Sequence, residues 1–130
     1  MPIDPVKQAE ELARTFFSLS NAVDEFRLRN FNAISAAEQQ RLKDQAQALD
    51  TRGQQYTADA LVAVLQGIQP HLRNIQQATQ SAQEALARLN DVVKGIAIVD
   101  AAVALVGSIV AGDLGLIGGN VEGLFEAINS

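Results

Sequence analysis

Apolar residues recur through the middle of the chain at alternating steps of four and three residues, from Leu61 to Val110. Steps of this kind give the period of about 3.5 residues that is typical of helices packing along a seam. The seam positions are Leu61, Leu65, Ile68, Leu72, Ile75, Thr79, Ala82, Leu86, Leu89, Val93, Ile96, Asp100, Val103, Gly107 and Val110. The pattern predicts helix throughout this region, either as one long helix or as two helices in register.

A second seam lies near the start of the chain. Its positions are Ala9, Leu12, Phe16, Leu19, Val23, Phe26 and Asn30. They predict a first helix over about 5–31, with Asp4 as its N-cap and a proline at the first helical position. Ser35 and Glu38 have the spacing of a capping box, in which each side chain bonds the other residue's backbone amide, so a second helix is predicted to start there.

The end of this second helix has two interpretations. In the first, Gly53 ends the helix, Thr57 caps the next one and Tyr56 packs on Leu61. In the second, the helix continues through Gly53. Because the apolar seam runs through Gly53 without losing phase, we expect one helix over about 35–68, with Gly53 as a weak point.

Pro70 provides the strongest helix-breaking signal in the chain. Proline has no amide hydrogen to donate, and it disfavours helical geometry at the preceding residue. A kinked helix and a turn are both compatible with the seam. Because one unbroken rod would leave too little chain to cover it, we expect a turn at 67–70 and a third helix over about 70–111.

The character of the chain changes after Lys94. On a helical wheel, one half of the following helix is bulky and the other half is small. The bulky half contains Ile96, Ile98, Val99, Val103, Leu105, Val106, Ile109 and Val110, and the small half contains Ala97, Asp100, Ala101, Ala104, Gly107, Ser108, Ala111 and Gly112. A turn at 118–120 and a short helix near 120–128, capped by Asn120, are expected to complete the chain.

Together these patterns predict one all-α domain over 1–130, with a C-terminal third (95–130) that is apolar and rich in Gly and Ala. The predicted architecture is an antiparallel bundle of three long helices plus a short C-terminal helix. A chain of 130 residues is large enough for one hydrophobic core, and its 48% hydrophobic content is typical of folded proteins.

The distribution of charge bears on the class of partner. The net charge is −5, and the part of the chain after Lys94 has four acidic residues and no basic one. Nucleic-acid binding needs a basic surface, so we expect no nucleic-acid partner. There is no cysteine, which removes disulfides and thiolate metal ligands. Without a visible secretory signal we expect cytoplasmic residence, although export by a leaderless route would leave no trace in the sequence.

Residues suited to catalysis are sparse. No metalloprotease, nucleophile-elbow, phosphate-loop or dinucleotide motif occurs. His71 is the only histidine, and it follows the predicted turn, where we expect it to be solvated. Seam position Thr79 predicts a thin or partly wet layer of the core. We therefore expect a protein that is not an enzyme and that uses no cofactor and no metal.

Two functions remain, and both use the apolar C-terminal third. The first is a helical interaction or assembly protein that binds itself or a helical partner. The alternative is an amphitropic protein that exposes 95–128 to a membrane or a hydrophobic granule; its layout is similar to that of helical pore-forming toxins and granule-coating phasins, without a shared residue motif. The candidate contact residues are Ile96, Val99, Val103, Val106, Ile109, Val110, Leu114, Ile117, Val121, Leu124, Phe125 and Ile128.

Length favours the first function. A membrane-spanning helix needs about 20 apolar residues, whereas only 12 lie between Asp100 and Asp113. We also expect self-association, because the rest of the chain offers little surface with which to cover an apolar third. Asp100 is a possible buried polar residue, which would either border the small half and face water or pair with a partner that orients the helix.

Overall fold

The computed structural model of the protein describes residues 5–55 and 58–129, and nearly all of these residues are helical. The described α-helices are α1 (Pro5–Arg29), α2 (Ala36–Gln55), α3 (Ala58–Arg88), α4 (Val92–Ala111) and α5 (Leu114–Asn129), with a short 3₁₀ turn at Phe31–Ala33. The predicted all-α class is confirmed. The chain divides into more helices than the three long ones and one short one expected from the sequence.

The first helix and the start of the second agree with the sequence. α1 ends at Arg29, close to the predicted end of a helix over 5–31. Ser35 Oγ accepts a hydrogen bond from the backbone N–H of Glu38 at 3.3 Å, which satisfies one of the free amides at the start of α2. The predicted N-cap, Asp4, lies outside the described residues.

The end expected at 68 for the second helix is wrong, because α3 (Ala58–Arg88) continues well past that residue. The alternative cap and staple at residues 56 and 57 lie outside the described residues. Gly53 is a packing position inside α2: a Cβ there would lie 3.0 Å from the ring of Phe17. The glycine therefore lets α1 and α2 approach closely.

The turn expected at 67–70 is also wrong, since α3 passes through Pro70 without ending. The proline is exposed, whereas Ile68, Leu72 and Ile75 around it are buried. A proline inside a helix costs about 3 kcal/mol, and burying each large aliphatic side chain contributes about 1.5–3 kcal/mol. Continuous packing of the seam therefore outweighs the local cost of the proline.

The chain instead breaks inside the region expected to form a single helix over 70–111. α3 ends at Arg88, and α4 begins after Asp91, whose side-chain oxygen accepts from the N–H of Lys94 at 3.1 Å. On the other side of the break, the Arg29 guanidinium donates to the backbone carbonyl oxygens of Leu86 and Leu89. The break is thus stabilised by a cap and by a cation at the end of α3.

Helices α4 and α5 are joined by a tight turn. Gly112 has a φ of 67°, and the N–H of Asp113 donates to the carbonyl of Ser108 at 3.2 Å, which is a Schellman ending. Asp113 Oδ1 then accepts from the N–H of Leu116 at 3.1 Å and caps α5. Because α5 continues from Leu114 to Asn129, the turn expected at 118–120 is wrong.

Asn120 has a different function from the helix cap expected of it. It lies inside α5, and its side-chain amide donates to the backbone oxygen of Ala104 at 3.1 Å. A cap would have bonded an amide of its own helix. Asn120 instead links α5 to α4.

The two halves predicted for α4 face in different directions. Helix α4 packs against α1, α2, α3 and α5. Six residues of its inner side that lie in the core are Ile98, Val99, Ala102, Leu105, Val106 and Ile109. Apart from Val93, the outward residues are small, so most of the bulky half faces inward.

Gly95 is the tightest packing position in α4. A Cβ at this position would overlap the ring of Phe26, which is itself fully buried. A ring packed on all sides has no room to move away. The close contact between α1 and α4 therefore requires glycine.

We predict opposite effects for two alanine substitutions within α4. Gly95→Ala should lower the free energy of unfolding by about 1–3 kcal/mol, because it overpacks the core. Gly107→Ala should raise it by about 0.5–1 kcal/mol, because the site has open space and alanine is the better helix former. Urea denaturation monitored by circular dichroism measures both, and a shift of both midpoints in the same direction would contradict this packing.

Candidate functional site

The candidate site is the side of α4 that faces away from the core. Its exposed residues are Val93, Ala97, Ala104, Gly107 and Ala111, and we call them the outer face of α4. Val93 is 80% exposed, the highest value among the large hydrophobic residues of the described chain. An apolar helix with one uncovered side presents a surface suited to contact with another apolar surface.

The predicted contact residues are distributed differently from this face. Those in the core are Val99, Val106, Ile109, Ile117, Val121 and Leu124. Those partly buried against the core are Ile96, Val103, Val110, Phe125 and Ile128. Leu114 is exposed. In this fold the core members cannot form a free surface, and a contact role for the others stays a prediction.

The rest of the chain was expected to offer too little surface to cover the apolar third, and self-association stays a prediction. The bulky half of α4 packs against the other four helices, including α5 from within that third, whereas Leu114 and Leu116 are exposed. The uncovered side of α4 is mostly its small half, which was not among the predicted contact residues. Its regular spacing of Ala and Gly was the available signal, because small residues allow helices to approach closely.

Asp100 lies at the border between the outer face and α2. Its Oδ1 accepts from Arg41 Nη2 at 2.7 Å and from Gln45 Nε2 at 2.8 Å. The Asp100 side chain is 38% exposed, so it is not the buried polar residue considered above. Both interpretations of Asp100 were partly right: it borders the small half, and it pairs with Arg41 of α2.

An apolar cleft of about 90 Å³ lies farther along the same two helices. Its lining residues are Ala48, Leu49, Arg52, Val103, Val106 and Gly107. The cleft adjoins the outer face at Gly107, which belongs to both. The uncovered apolar surface thus extends from α4 onto α2.

By length and composition alone, α4 is the one helix among the described residues that could cross a membrane. The length argument from the sequence counted only the 12 residues between Asp100 and Asp113. The helix itself extends over Val92–Ala111 and contains Asp100. About 44% of its apolar stretch is buried inside the fold. Core helices of soluble proteins have the same length and composition, so this feature supports two interpretations.

The described residues offer little for chemistry. Among them no group of three or more His, Asp or Glu side chains could hold a metal ion. His71 does not follow a turn; it is partly buried in α3, and its ring faces Gly118 of α5. Thr79 is buried and donates to the carbonyl of Ile75 at 2.8 Å. Since its own helix satisfies the hydroxyl, this layer of the core needs no water.

No protein-family model, curated protein sequence or solved structure matches this chain.

We predict that the bond between Asp100 and Arg41 contributes little to folding. Arg41 is 56% exposed, and exposed ion pairs contribute about 0.2–1 kcal/mol. A double-mutant cycle of Asp100→Asn and Arg41→Gln should therefore give a coupling energy in that range, and 1 M salt should remove most of it. Arg73→Gln, at an exposed position of α3, is the matched control. A coupling energy above about 2 kcal/mol would show that the pair fastens the fold itself.

Proposed function

We propose that the protein is a non-enzymatic helical assembly protein whose outer face of α4 docks against another helix, in the first place that of a second copy. One observation carries this proposal: the most apolar helix packs its bulky side into the chain's own core and leaves its small side uncovered. A partner can therefore dock without any change in the fold. Small residues favour such docking because they let two helix axes approach to about 8 Å.

The scaffold that supports this face is, we propose, an up-and-down bundle. Ser20 Oγ donates to the carbonyl of Ala46 at 2.7 Å, and Arg27 lies near Gln39, so α1 and α2 run in opposite directions. The bond from Asn120 to α4 supports the same relation between α4 and α5. Short connections between antiparallel neighbours are typical of helical bundles.

A second candidate function is reversible membrane association through α4. The observation that favours it is the length of α4, since its 20 residues extend about 30 Å, the thickness of the bilayer core. Two costs oppose it. Asp100 would lie near the centre of the bilayer, which costs about 2.5–3.5 kcal/mol, and the helices that cover α4 would lose their core.

One pair of substitutions tests the assembly proposal. Ala104→Glu adds a charge to the outer face of α4, where it is harmless in a monomer but unpaired within a helix contact. Ala87→Glu, at an exposed position of α3, is the matched control. Light scattering at micromolar to submillimolar concentration should show a mass above the monomer for wild type and Ala87→Glu, and a loss of about tenfold or more in affinity for Ala104→Glu.

Flotation of the same proteins with neutral vesicles tests the second candidate. Membrane association predicts that wild type floats, that Ala104→Glu floats less, and that salt has little effect because the C-terminal third has no basic residue. A wild type that is monomeric over the whole concentration range would contradict the assembly proposal. A wild type that also fails to float would contradict both functions.

A further inference from the structure

The unpartnered surface of this protein includes α2 as well as α4. The two helices run side by side in the same direction, because Arg41 bonds Asp100 near one end and Arg52 lines the cleft with Gly107 near the other. Ala48 lies between these two levels, is exposed, and also lines the cleft. We call this surface the α2–α4 face, and its centre is marked by Ala48 and Ala104.

The α2–α4 face has an acidic residue on one side of its centre and a basic residue on the other. Asp44 and Arg52 lie on α2, four residues to either side of Ala48, and both are exposed. Arg41 is already paired with Asp100. Neither Asp44 nor Arg52 makes an ion pair within 5–55 and 58–129. The face thus carries an unpaired negative charge on one side of its centre and an unpaired positive charge on the other.

We propose that a second copy of this chain docks on the α2–α4 face about a two-fold axis at the level of Ala48 and Ala104. Four helical residues extend about 6 Å, so the rotation brings Arg52 of each copy to the level of Asp44 of the other. The charges therefore complement each other twice in one dimer. A two-fold contact of this kind also closes on itself, whereas a head-to-tail contact would continue into a ring or filament.

The size of the face fits a weak dimer. Helix α4 has 20 residues and is about 30 Å long, and two adjacent helices are about 20 Å wide. Each copy would bury roughly 600 Å², or roughly 1,200 Å² in total, which is at the lower limit for specific complexes. The pairing of Arg52 with Asp44 supplies orientation, since complementary charges favour one register over others. This inference rests on the proposed function and adds the geometry of the contact.

Cysteine cross-linking tests this geometry directly, because the chain has no cysteine of its own. Under mild oxidation Ala104→Cys should form a covalent dimer, since a residue beside the axis meets its own copy. Ala97→Cys and Ala111→Cys lie seven residues to either side, about 10 Å from the axis. Each should fail to cross-link alone and should cross-link when the two are mixed, because a disulfide needs Cα atoms about 4.4–6.8 Å apart. Ala87→Cys on α3, outside the proposed contact, is the control that should form no covalent dimer.

Charge reversal tests the pairing independently. Arg52→Asp and Asp44→Arg should each weaken dimerisation about three- to tenfold, because each change replaces two attractive contacts by two repulsive ones. The double variant Arg52→Asp with Asp44→Arg should restore the wild-type affinity. Circular dichroism should be unchanged throughout, because both positions are exposed.

The outcomes separate this inference from the proposed function. If Ala104→Glu abolishes association but Ala97→Cys cross-links to itself, the contact is parallel; the two-fold geometry is then wrong and the assembly function stands. Loss of Ala104→Cys cross-linking together with binding of the wild type to neutral vesicles would assign the face to a lipid surface and overturn the inference. A wild type without association or vesicle binding would overturn the inference and the function together.

Discussion

The structure depends on the burial of one side of α4 against the other four helices. Its inner residues Ile98, Leu105 and Ile109 are fully buried, and the ring of Phe26 fits against the backbone of Gly95 where α1 meets α4. Burial of each of these large side chains contributes about 1.5–3 kcal/mol of hydrophobic stabilisation. Helix α1 packs on α2 and α3, and α4 completes the core by packing on all four of the other helices.

This constraint explains which parts of the fold could be predicted from the sequence. Apolar periodicity reports which side of a helix is buried. In α4 most of the bulky half is buried and most of the small half is exposed, although Ser108 of the small half is buried. Periodicity does not report where a helix ends. The seam keeps its phase through Pro70, where the helix continues, and through 89–91, where the helix stops. Two interactions accompany the end of α3 and the start of α4. Asp91 caps α4, which is a local signal, whereas Arg29 of the distant helix α1 donates to the backbone oxygens of Leu86 and Leu89.

The candidate site was harder to predict for a related reason. A sequence shows that a residue is apolar but does not show whether the chain itself or a partner covers it. The bulky half of α4 was therefore selected as the contact surface, although the chain covers it and leaves Ala97 and Ala104 outside. The partner of Asp100 was equally hidden. A single carboxylate in an apolar run predicts that a partner exists, but Arg41 lies 59 residues away in sequence, and only the packing of α2 on α4 brings them together.

The same burial sets the relation between the two candidate functions. Docking through the outer face leaves every contact of the bulky half in place. Its cost is the translational and rotational entropy of the two molecules and the desolvation of a small surface. Membrane insertion would return the bulky half to an apolar medium, but it would leave the ring of Phe26 and the facing residues of α1 and α3 exposed to water. The membrane-inserted state would need new contacts to cover these side chains. In the folded structure, the other helices already cover the bulky half of α4. A folded α4 therefore favours a partner that approaches from outside over a bilayer that removes the helix from its core.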